Sequence, residues 1–252
     1  MTAYYNESNP HAAEWLRNLI KARLIADGHV DDRSIVSVQP HDLRGFKQAH
    51  FFAGIGGWSY ALRLAGWPDN RPVWTGSCPC QPFSEAGQRK GFNDERDLWP
   101  DWFRLIRECR PAIAFGEQVA SVDGVTWADR TAADLESEGY AFGTAILPAV
   151  AVGAPHRRDR FYFVAHAIGA DSGGGLADRR WSEIAGQVEG VGLTETWNGG
   201  FSRYGRMVDG LPGRLAKAIA GGLGNAIVPQ LAAAFVGMTM DELRAVAALK
   251  TR

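Results

Sequence analysis

Short apolar segments typical of β-strands alternate with amphipathic segments typical of helices over the first two thirds of this chain. The strand-like segments are residues 2–7, 33–38, 72–79, 112–119, 141–150 and 159–168, and residues 48–67 combine a strand, a Gly-rich turn and a helix. Helical patterns cover residues 9–28, 97–111 and 130–140. This alternation predicts an α/β domain with a mostly parallel central sheet.

The composition and the hydrophobic pattern of the sequence change near residue 166. Residues 166–205 are glycine-rich without a clear period, which predicts a small irregular region after a catalytic and cofactor-binding domain at 1–165. Residues 206–252 return to a helical pattern, and we expect this last segment to pack back onto the first domain. No internal repeat is present.

Composition narrows the class of protein. With 46% hydrophobic residues and a net charge of −1, the 252-residue chain has a normal globular balance and not the basic character of a protein that coats DNA. No apolar run approaches the roughly 18 residues of a membrane span, and residues 1–16 do not have the pattern of a signal peptide. Three cysteines form no disulfide framework, so we expect a cytoplasmic protein without a membrane partner.

The turn "FFAGIGG", residues 51–57, lies between a predicted strand and a predicted helix. Glycines there let the backbone turn tightly and approach a ligand, although many α/β turns of this kind bind nothing. Glu7 ends a predicted strand, and Asp31 or Asp32 precedes another. Carboxylates at strand ends can accept hydrogen bonds from a ribose diol or an adenine amino group, or can be surface groups or caps.

The loop "GSCPCQPFSEAG", residues 76–87, holds two of the three cysteines. A metal clip needs further Cys or His ligands, and a redox pair usually has two intervening residues, so both alternatives are weaker than a single nucleophile at Cys80. We therefore predict no metal site. The polar segment that follows, with Gln81, Ser84, Gln88 and Arg89, is placed to contact a phosphate backbone.

A thiolate nucleophile needs partners, and the sequence offers three. Glu117 ends the next predicted strand, and neighbouring parallel strands end on the same side of a sheet. Arg158 and Arg160 alternate on an entering strand and so share a face. Thiol, carboxyl and guanidinium groups are therefore expected to meet in one pocket.

These motifs resemble those of DNA cytosine-C5 methyltransferases. The similar pieces are "FFAGIGG", "PCQPFS", "GEQV", "PHRRDRFYFV" and "GNAIVPQLAAAF", which together extend over about four-fifths of the chain. The resemblance implies a doubly wound, Rossmann-like class I methyltransferase fold with a small target-recognition region. It also implies methyl transfer from S-adenosylmethionine to cytosine C5 in double-stranded DNA, by an enzyme that works as a monomer and is of phage or bacterial type.

The resemblance also implies roles for individual residues. Cys80 would add to C6 of a flipped cytosine, Glu117 would hold the N3 edge of the base, and Arg158 and Arg160 would orient both. The S-adenosylmethionine pocket would be formed by Phe52, Ala53, Gly54, Gly56 and Gly57 and closed by Asn225, with Glu7 on the ribose and Asp31 on the adenine. DNA contacts would come from the segment after Cys80 and from Arg179, Arg180 and Arg203, with Trp181 and Trp197 beside them.

The chain departs from the family pattern in three respects. The segments that carry Glu7 and Asp31 precede the Gly-rich turn here and follow it in the family, which predicts a locally permuted sheet. This rearrangement keeps open a donor such as 5,10-methylenetetrahydrofolate, with hydroxymethylcytosine as the product, or an inactive DNA-binding relative. Gln118 and His156 replace the family's Asn and Gln. The short recognition region predicts a target of roughly two to four base pairs.

Overall fold

A computed structural model describes residues 1–79, 97–120, 122–154, 158–168 and 227–250 of the chain, and the side chains at 122–125 and 245–250 are left aside. Within this described part, no helix is both long and apolar enough to cross a membrane.

One seven-stranded sheet organises the described residues. Its lateral order is β2-β1-β3-β4-β5-β7-β6, and all strands are parallel except β7, which runs antiparallel to both neighbours. The strands are β1 Ala3–Asn6, β2 Gly28–Asp31, β3 Gln48–Phe51, β4 Val73–Gly76, β5 Ile113–Val119, β6 Tyr140–Pro148 and β7 Asp159–Ala167. The predicted α/β class with a mostly parallel sheet is confirmed.

Helices cover both faces of the sheet, as in a doubly wound fold. They are α1 Pro10–Lys21, α2 Gly57–Leu64, α3 Trp99–Cys109, α4 Val122–Ser137 and α5 Pro229–Lys250. Trp99 and Trp102 of α3 and Trp127 of α4 pack with Phe163 in the core on one face. On the other face, the core of α2 and α5 surrounds Phe115 of β5.

The bounds of two helices differ from those predicted. Asn9 caps α1 by accepting hydrogen bonds from the backbone N–H groups of His11 and Ala12, as a helix-capping Asn does. The helix ends at Lys21, earlier than the predicted residue 28, because the chain turns there to enter β2. Helix α4 begins at Val122, eight residues before the start predicted at residue 130.

The strand predicted at 33–38 is wrong, because β2 occupies Gly28–Asp31 and Ile35–Ser37 form a short 3₁₀ turn. The Asp31 carboxylate accepts the backbone N–H of Arg33, a side-chain contact that ends the strand in a turn. Position 28 lies so close to β1 that a Cβ there would be 2.1 Å from the carbonyl oxygen of Ala3, and glycine fits because it has no Cβ. Asp31 therefore ends a strand, whereas the sequence pattern placed it before one.

The spatial order of the first three strands differs from their order along the chain. β3, which leads into the Gly-rich turn, pairs with β1, and β1 pairs with β2 on its other side. The strand ending near Glu7 therefore lies next to the Gly-rich strand, and the strand ending at Asp31 lies one position further out. The chain visits the strands in the order β1-β2-β3, whereas their lateral order is β2-β1-β3.

Candidate active site at the carboxyl edge of the sheet

The Gly-rich turn follows β3 and wraps the start of α2. Gly54 and Gly56 adopt φ values of 53° and 82°, the left-handed region that glycine enters without a Cβ penalty. Gly57 contacts the chain just before α5, where a Cβ would lie 2.3 Å from Cγ2 of Ile227. The turn borders a small cleft lined by Phe52, Ala53, Gly54, Trp58, Ser77 and Ile227.

Glu7 lies at this turn, where the sequence predicted a ribose-binding carboxylate. Its Oε2 accepts the backbone N–H of Gly54 at 2.7 Å, and its Oε1 accepts that of Asn9 at 2.8 Å. The carboxylate thus bridges the start of α1 and the Gly-rich turn. Each carboxylate oxygen can accept more than one hydrogen bond, so these two bonds do not exhaust the acceptor capacity of Glu7.

Asp31 is buried and its carboxylate is crowded with donors. Arg33 donates to it from its backbone and from its guanidinium, and the Tyr4 hydroxyl donates to Oδ2 at 2.5 Å. Burial alone would raise the pKa of Asp31, but the bonds from Arg33 and Tyr4 outweigh it and lower the pKa to about 2. An adenine amino group can reach this carboxylate only if one of these donors gives way.

Glu117 is a deeply buried acidic group at this edge of the sheet. It lies on β5 with 6% of its surface exposed, and its Oε1 accepts from Nε of Arg160 at 2.9 Å. Burial raises the pKa of Glu117, and Arg160, Ser77 and Arg158 act against that rise. The carboxyl therefore holds a proton to a higher pH than an ordinary glutamate, which suits a group that donates a hydrogen bond.

The two arginines reach Glu117 from the start of β7. Arg160 lies in the strand, while Arg158 precedes it with a φ of 38°. Burial lowers the pKa of Arg158, and so does its neighbour Arg160, while Glu117 opposes the change. The structure therefore brings together three of the four predicted catalytic residues.

Two residues that sequence reasoning did not single out complete this part of the site. Nε1 of Trp58 donates to Oγ of Ser77 at 3.1 Å, and the Ser77 side chain hydrogen-bonds Glu117. Ser77 gave no signal in the sequence beyond its place three residues before Cys80.

Gln118 ties the same strand to the segment that leads to Cys80. Its Nε2 donates to the carbonyl oxygen of Cys78 at 3.1 Å, and its Oε1 accepts the backbone N–H of Val119 at 2.9 Å. The glutamine thus anchors the chain two residues before the predicted nucleophile.

The remaining predicted site residues lie outside the described residues. They are Cys80, Gln81, Ser84, Gln88, Arg89, Arg179, Arg180, Arg203 and Asn225, together with Trp181, Trp197 and His156. The predicted region 166–205 lies outside as well, apart from its first three residues. In the part of the chain that is described, no three His, Cys, Asp or Glu side chains are grouped as a metal site requires.

Comparison with protein families gives a match that covers the predicted catalytic residues. Residues 68–172 match the family described as C-5 cytosine-specific DNA methylase. The matched range runs from just before β4 to just after β7. It contains Glu117, Arg158 and Arg160 and leaves the Gly-rich turn, β1 and β2 outside.

Curated relatives are similar over about half of the chain or less. The chain is 27% identical over 170 residues to the type II methyltransferase M.HhaI of Haemophilus parahaemolyticus, covering 52% of each protein. It is 34% identical over 137 residues to M.NlaX of Neisseria lactamica, covering 51% of the chain and 40% of that relative. Among solved structures, a DNMT2 variant from Spodoptera frugiperda aligns with a TM-score of 0.44 at 16% identity, over 71% of this chain and 54% of that one.

Proposed function

We propose, on the premise that residues 68–172 of this chain belong to the C-5 cytosine-specific DNA methylase family, that the protein is a DNA cytosine-C5 methyltransferase. It acts on double-stranded DNA as a soluble monomer of the cytoplasm, with a recognition site of a few base pairs. The methyl donor is S-adenosylmethionine. The reaction proceeds through a covalent bond between Cys80 and C6 of a cytosine that has left the base stack.

One observation carries this proposal. Glu117 is a buried carboxyl with a raised pKa, held by Arg160, on the strand next to the one that leads into the cysteine loop. Covalent geometry keeps the Cα of Cys80 within about 7.6 Å of the Cα of Cys78, since consecutive Cα atoms are about 3.8 Å apart. The carbonyl of Cys78 is bonded to Gln118, the neighbour of Glu117. The described segment that leads to position 80 is therefore bonded to the strand that carries the proposed acid.

The residue types match the chemical problem. C5 of cytosine is a weak nucleophile, and addition of the Cys80 thiolate to C6 makes C5 resemble an enamine carbon. The protonated Glu117 carboxyl hydrogen-bonds N3 and offsets the negative charge that develops on the ring, an effect typically worth about 10²–10⁴-fold. Loss of the C5 proton after methyl transfer restores the C5–C6 double bond and releases the Cys80 thiolate. Arg158 and Arg160 hold the base and the carboxyl in place.

The residues around the cleft fit an adenosyl cofactor. Gly54, with its positive φ, lines the cleft, and Glu7 accepts its backbone N–H and would accept from a ribose diol. Gly56 turns toward Leu16, Leu19 and Ile25 instead, so its role would be to shape the turn. Phe52, Ala53 and Gly57 complete this wall, and Asn225 would close it from the chain before α5. When bound, S-adenosylmethionine supplies an electrophilic sulfonium methyl group. Asp31 would bind the adenine only by exchanging one of its present donors.

The order of the strands favours S-adenosylmethionine over the folate alternative. The folate hypothesis arose from the rearranged segments that carry Glu7 and Asp31. Because β2, β1 and β3 lie side by side and in register, the rearrangement leaves these groups at the same edge of the sheet.

Nucleoside analysis tests the reaction. The purified protein is incubated with double-stranded DNA and either S-adenosylmethionine or 5,10-methylenetetrahydrofolate, and the digested DNA is analysed by mass. We expect 5-methylcytosine with S-adenosylmethionine alone. Formation of hydroxymethylcytosine with the folate would identify the folate as the donor in place of S-adenosylmethionine. An unmodified digest in both arms would favour an inactive DNA-binding relative.

Trapping on DNA that contains 5-fluorocytosine tests the nucleophile. Fluorine replaces the hydrogen at C5, so after methyl transfer no proton can leave C5 to expel the thiolate. The Sγ–C6 bond therefore persists and the complex survives denaturing electrophoresis. Cys80→Ser should abolish the trapped complex, while Cys78→Ser, the matched control two residues away, should retain it. A complex that persists in Cys80→Ser would disprove the assigned nucleophile.

A further inference from the structure

Ser77 occupies a defined position in the row of strand ends. Gly76 pairs with Phe51 on one side and with Gly116 on the other, both in parallel register. The next residue, Ser77, therefore lies between Phe52 of the Gly-rich turn and Glu117. Residues at the same level of parallel neighbours point to the same face of a sheet, so the Ser77 and Glu117 side chains share a face.

Trp58 of α2 restricts what the Ser77 hydroxyl can do. The indole Nε1–H is a donor only, so Oγ of Ser77 must act as the acceptor in their 3.1 Å bond. A serine hydroxyl has one hydrogen, and it is left free to point at Glu117. When Glu117 is ionised, its carboxylate can only accept, so the hydrogen bond between Ser77 and Glu117 then has Ser77 as the donor.

We propose that Ser77 is a positioning residue for Glu117, held by Trp58 so that its hydroxyl donates to the carboxyl and fixes its orientation. Trp58 and Ser77 also line the cleft beside the Gly-rich turn. The chain Trp58–Ser77–Glu117 thus joins the wall of the cleft to the carboxyl. Its catalytic meaning rests on the proposed function, whereas the contacts themselves do not.

Other groups face Glu117 and set the background for this effect. Arg160 and Arg158 approach from the start of β7, and Tyr162 lies directly across from Glu117 in the ladder between β5 and β7. Burial raises the pKa of Glu117, while both arginines and Ser77 lower it, since each favours the charged carboxylate. Burial and the charge of Glu117 raise the pKa of Tyr162, which stays neutral. Loss of the Ser77 hydroxyl should therefore raise the pKa of Glu117 further.

Infrared difference spectroscopy measures this pKa without any catalysis. The carbonyl stretch of the protonated Glu117 carboxyl is isolated by subtracting the spectrum of Glu117→Gln, and its amplitude is followed against pH. The series comprises wild type, Ser77→Ala, Ser77→Thr and Trp58→Phe. Circular dichroism verifies that each variant is folded, and Ser77→Ala removes a single atom from a partly exposed side chain.

The expected order of titration midpoints decides the proposal. Ser77→Ala should titrate at a higher pH than wild type, Ser77→Thr should return close to wild type because it restores the hydroxyl, and Trp58→Phe should lie between. An unchanged or lower midpoint in Ser77→Ala would overturn the proposal. So would a shift in Ser77→Thr as large as that in Ser77→Ala, because a role in packing alone would produce it.

A second readout connects the contact to the reaction. If Glu117 acts as the protonated partner of the base, the alkaline limb of methyl transfer should move to higher pH in Ser77→Ala. The infrared midpoints decide whether Ser77 acts on Glu117, and formation of 5-methylcytosine by the wild type decides the proposed function. Failure of one is therefore distinguishable from failure of the other.

Discussion

Replacement of Arg160 by Met removes the guanidinium and keeps most of its apolar stem. In the wild type its Nε lies 2.9 Å from Oε1 of Glu117, and the two side chains are only 15% and 7% exposed. Breaking a buried ion pair of this kind costs about 3–5 kcal/mol when the remaining partner stays charged. Glu117 has an alternative, because a carboxyl with a pKa already raised by burial can take up a proton instead.

The cost of Arg160→Met should therefore depend on pH. Where Glu117 is protonated in both proteins, only a hydrogen bond is lost, worth about 1 kcal/mol. As pH rises through the folded pKa of Glu117 in the wild type, the wild-type carboxyl ionises beside Arg160 while the variant must keep its proton or bury an unpaired charge. The difference in unfolding free energy should then grow toward about 3–5 kcal/mol.

Urea denaturation followed by tryptophan fluorescence at pH 5 to 9 measures this difference. Arg17→Met is the matched control, because Arg17 pairs with Glu14 and Asp32 at an exposed site, where the loss should stay below about 1 kcal/mol at every pH. When Arg160→Met is combined with Glu117→Gln, the cost of Arg160→Met in unfolding free energy should no longer depend on pH. A cost for Arg160→Met that is constant with pH, or that survives in the double variant, would refute the reasoning.

Three further predictions concern single positions. Gly57→Ala should lower the unfolding free energy by about 1–3 kcal/mol, because its Cβ would lie 2.3 Å from Ile227, and Ile227→Ala should recover part of it; equal urea midpoints for Gly57→Ala and wild type would contradict this. Tyr162→Phe should leave thermal stability unchanged or raise it by about 1 kcal/mol, since the buried hydroxyl has no hydrogen-bond partner among the described residues; a clear loss would reveal one. Burial lowers the pKa of His50 from 6.5 to about 3, so the stability it contributes is present above pH 6.5 and declines toward pH 3. The loss of unfolding free energy between pH 6.5 and pH 4 should accordingly be about 3 kcal/mol smaller in His50→Gln than in wild type. Equal losses in the two proteins would exclude this role of His50.

The sequence predicted those parts of the site whose chemistry is local. Glu117 followed an apolar strand, and the glycines of residues 54–57 followed another, so their position at strand ends could be inferred from pattern alone. In the sheet these strands are parallel, and their ends lie at the same edge. The pairing of Arg160 with Glu117 also agrees with the expected meeting of guanidinium and carboxyl groups.

Other features depend on contacts between distant segments, which no local pattern encodes. β2 is displaced from the predicted 33–38 to Gly28–Asp31 because Gly28 allows a close approach to Ala3. The donors that crowd Asp31 include Tyr4, which comes from the neighbouring strand. The indole of Trp58 stacks with Phe115 of β5 and donates to Ser77, which lies 19 residues further along the chain. In each case a tertiary contact decides the role of a residue whose local sequence is unremarkable.

The permuted order of the segments is compatible with an intact site, because the site at the edge of a parallel sheet is formed by residues from laterally neighbouring strands. The ladder pairs place five residues in one row across neighbouring strands, namely Asp31, Asn6, Phe51, Gly76 and Gly116. The next residues along β1, β3, β4 and β5 are Glu7, Phe52, Ser77 and Glu117, of which Phe52 and Ser77 line the cleft.

Their spacing is set by lateral order and register, and neither depends on which strand the chain enters first. The altered connection runs from the end of β2 through residues 32–47 to the start of β3, so it leaves the cleft edge of the sheet at β2 and returns at the opposite edge at β3. A change of connectivity that is confined to the connections between strands moves none of the five residues that the ladder pairs place in one row. The position of Glu7 beside Gly54, at 2.7 Å, is the contact that such a rearrangement had to preserve.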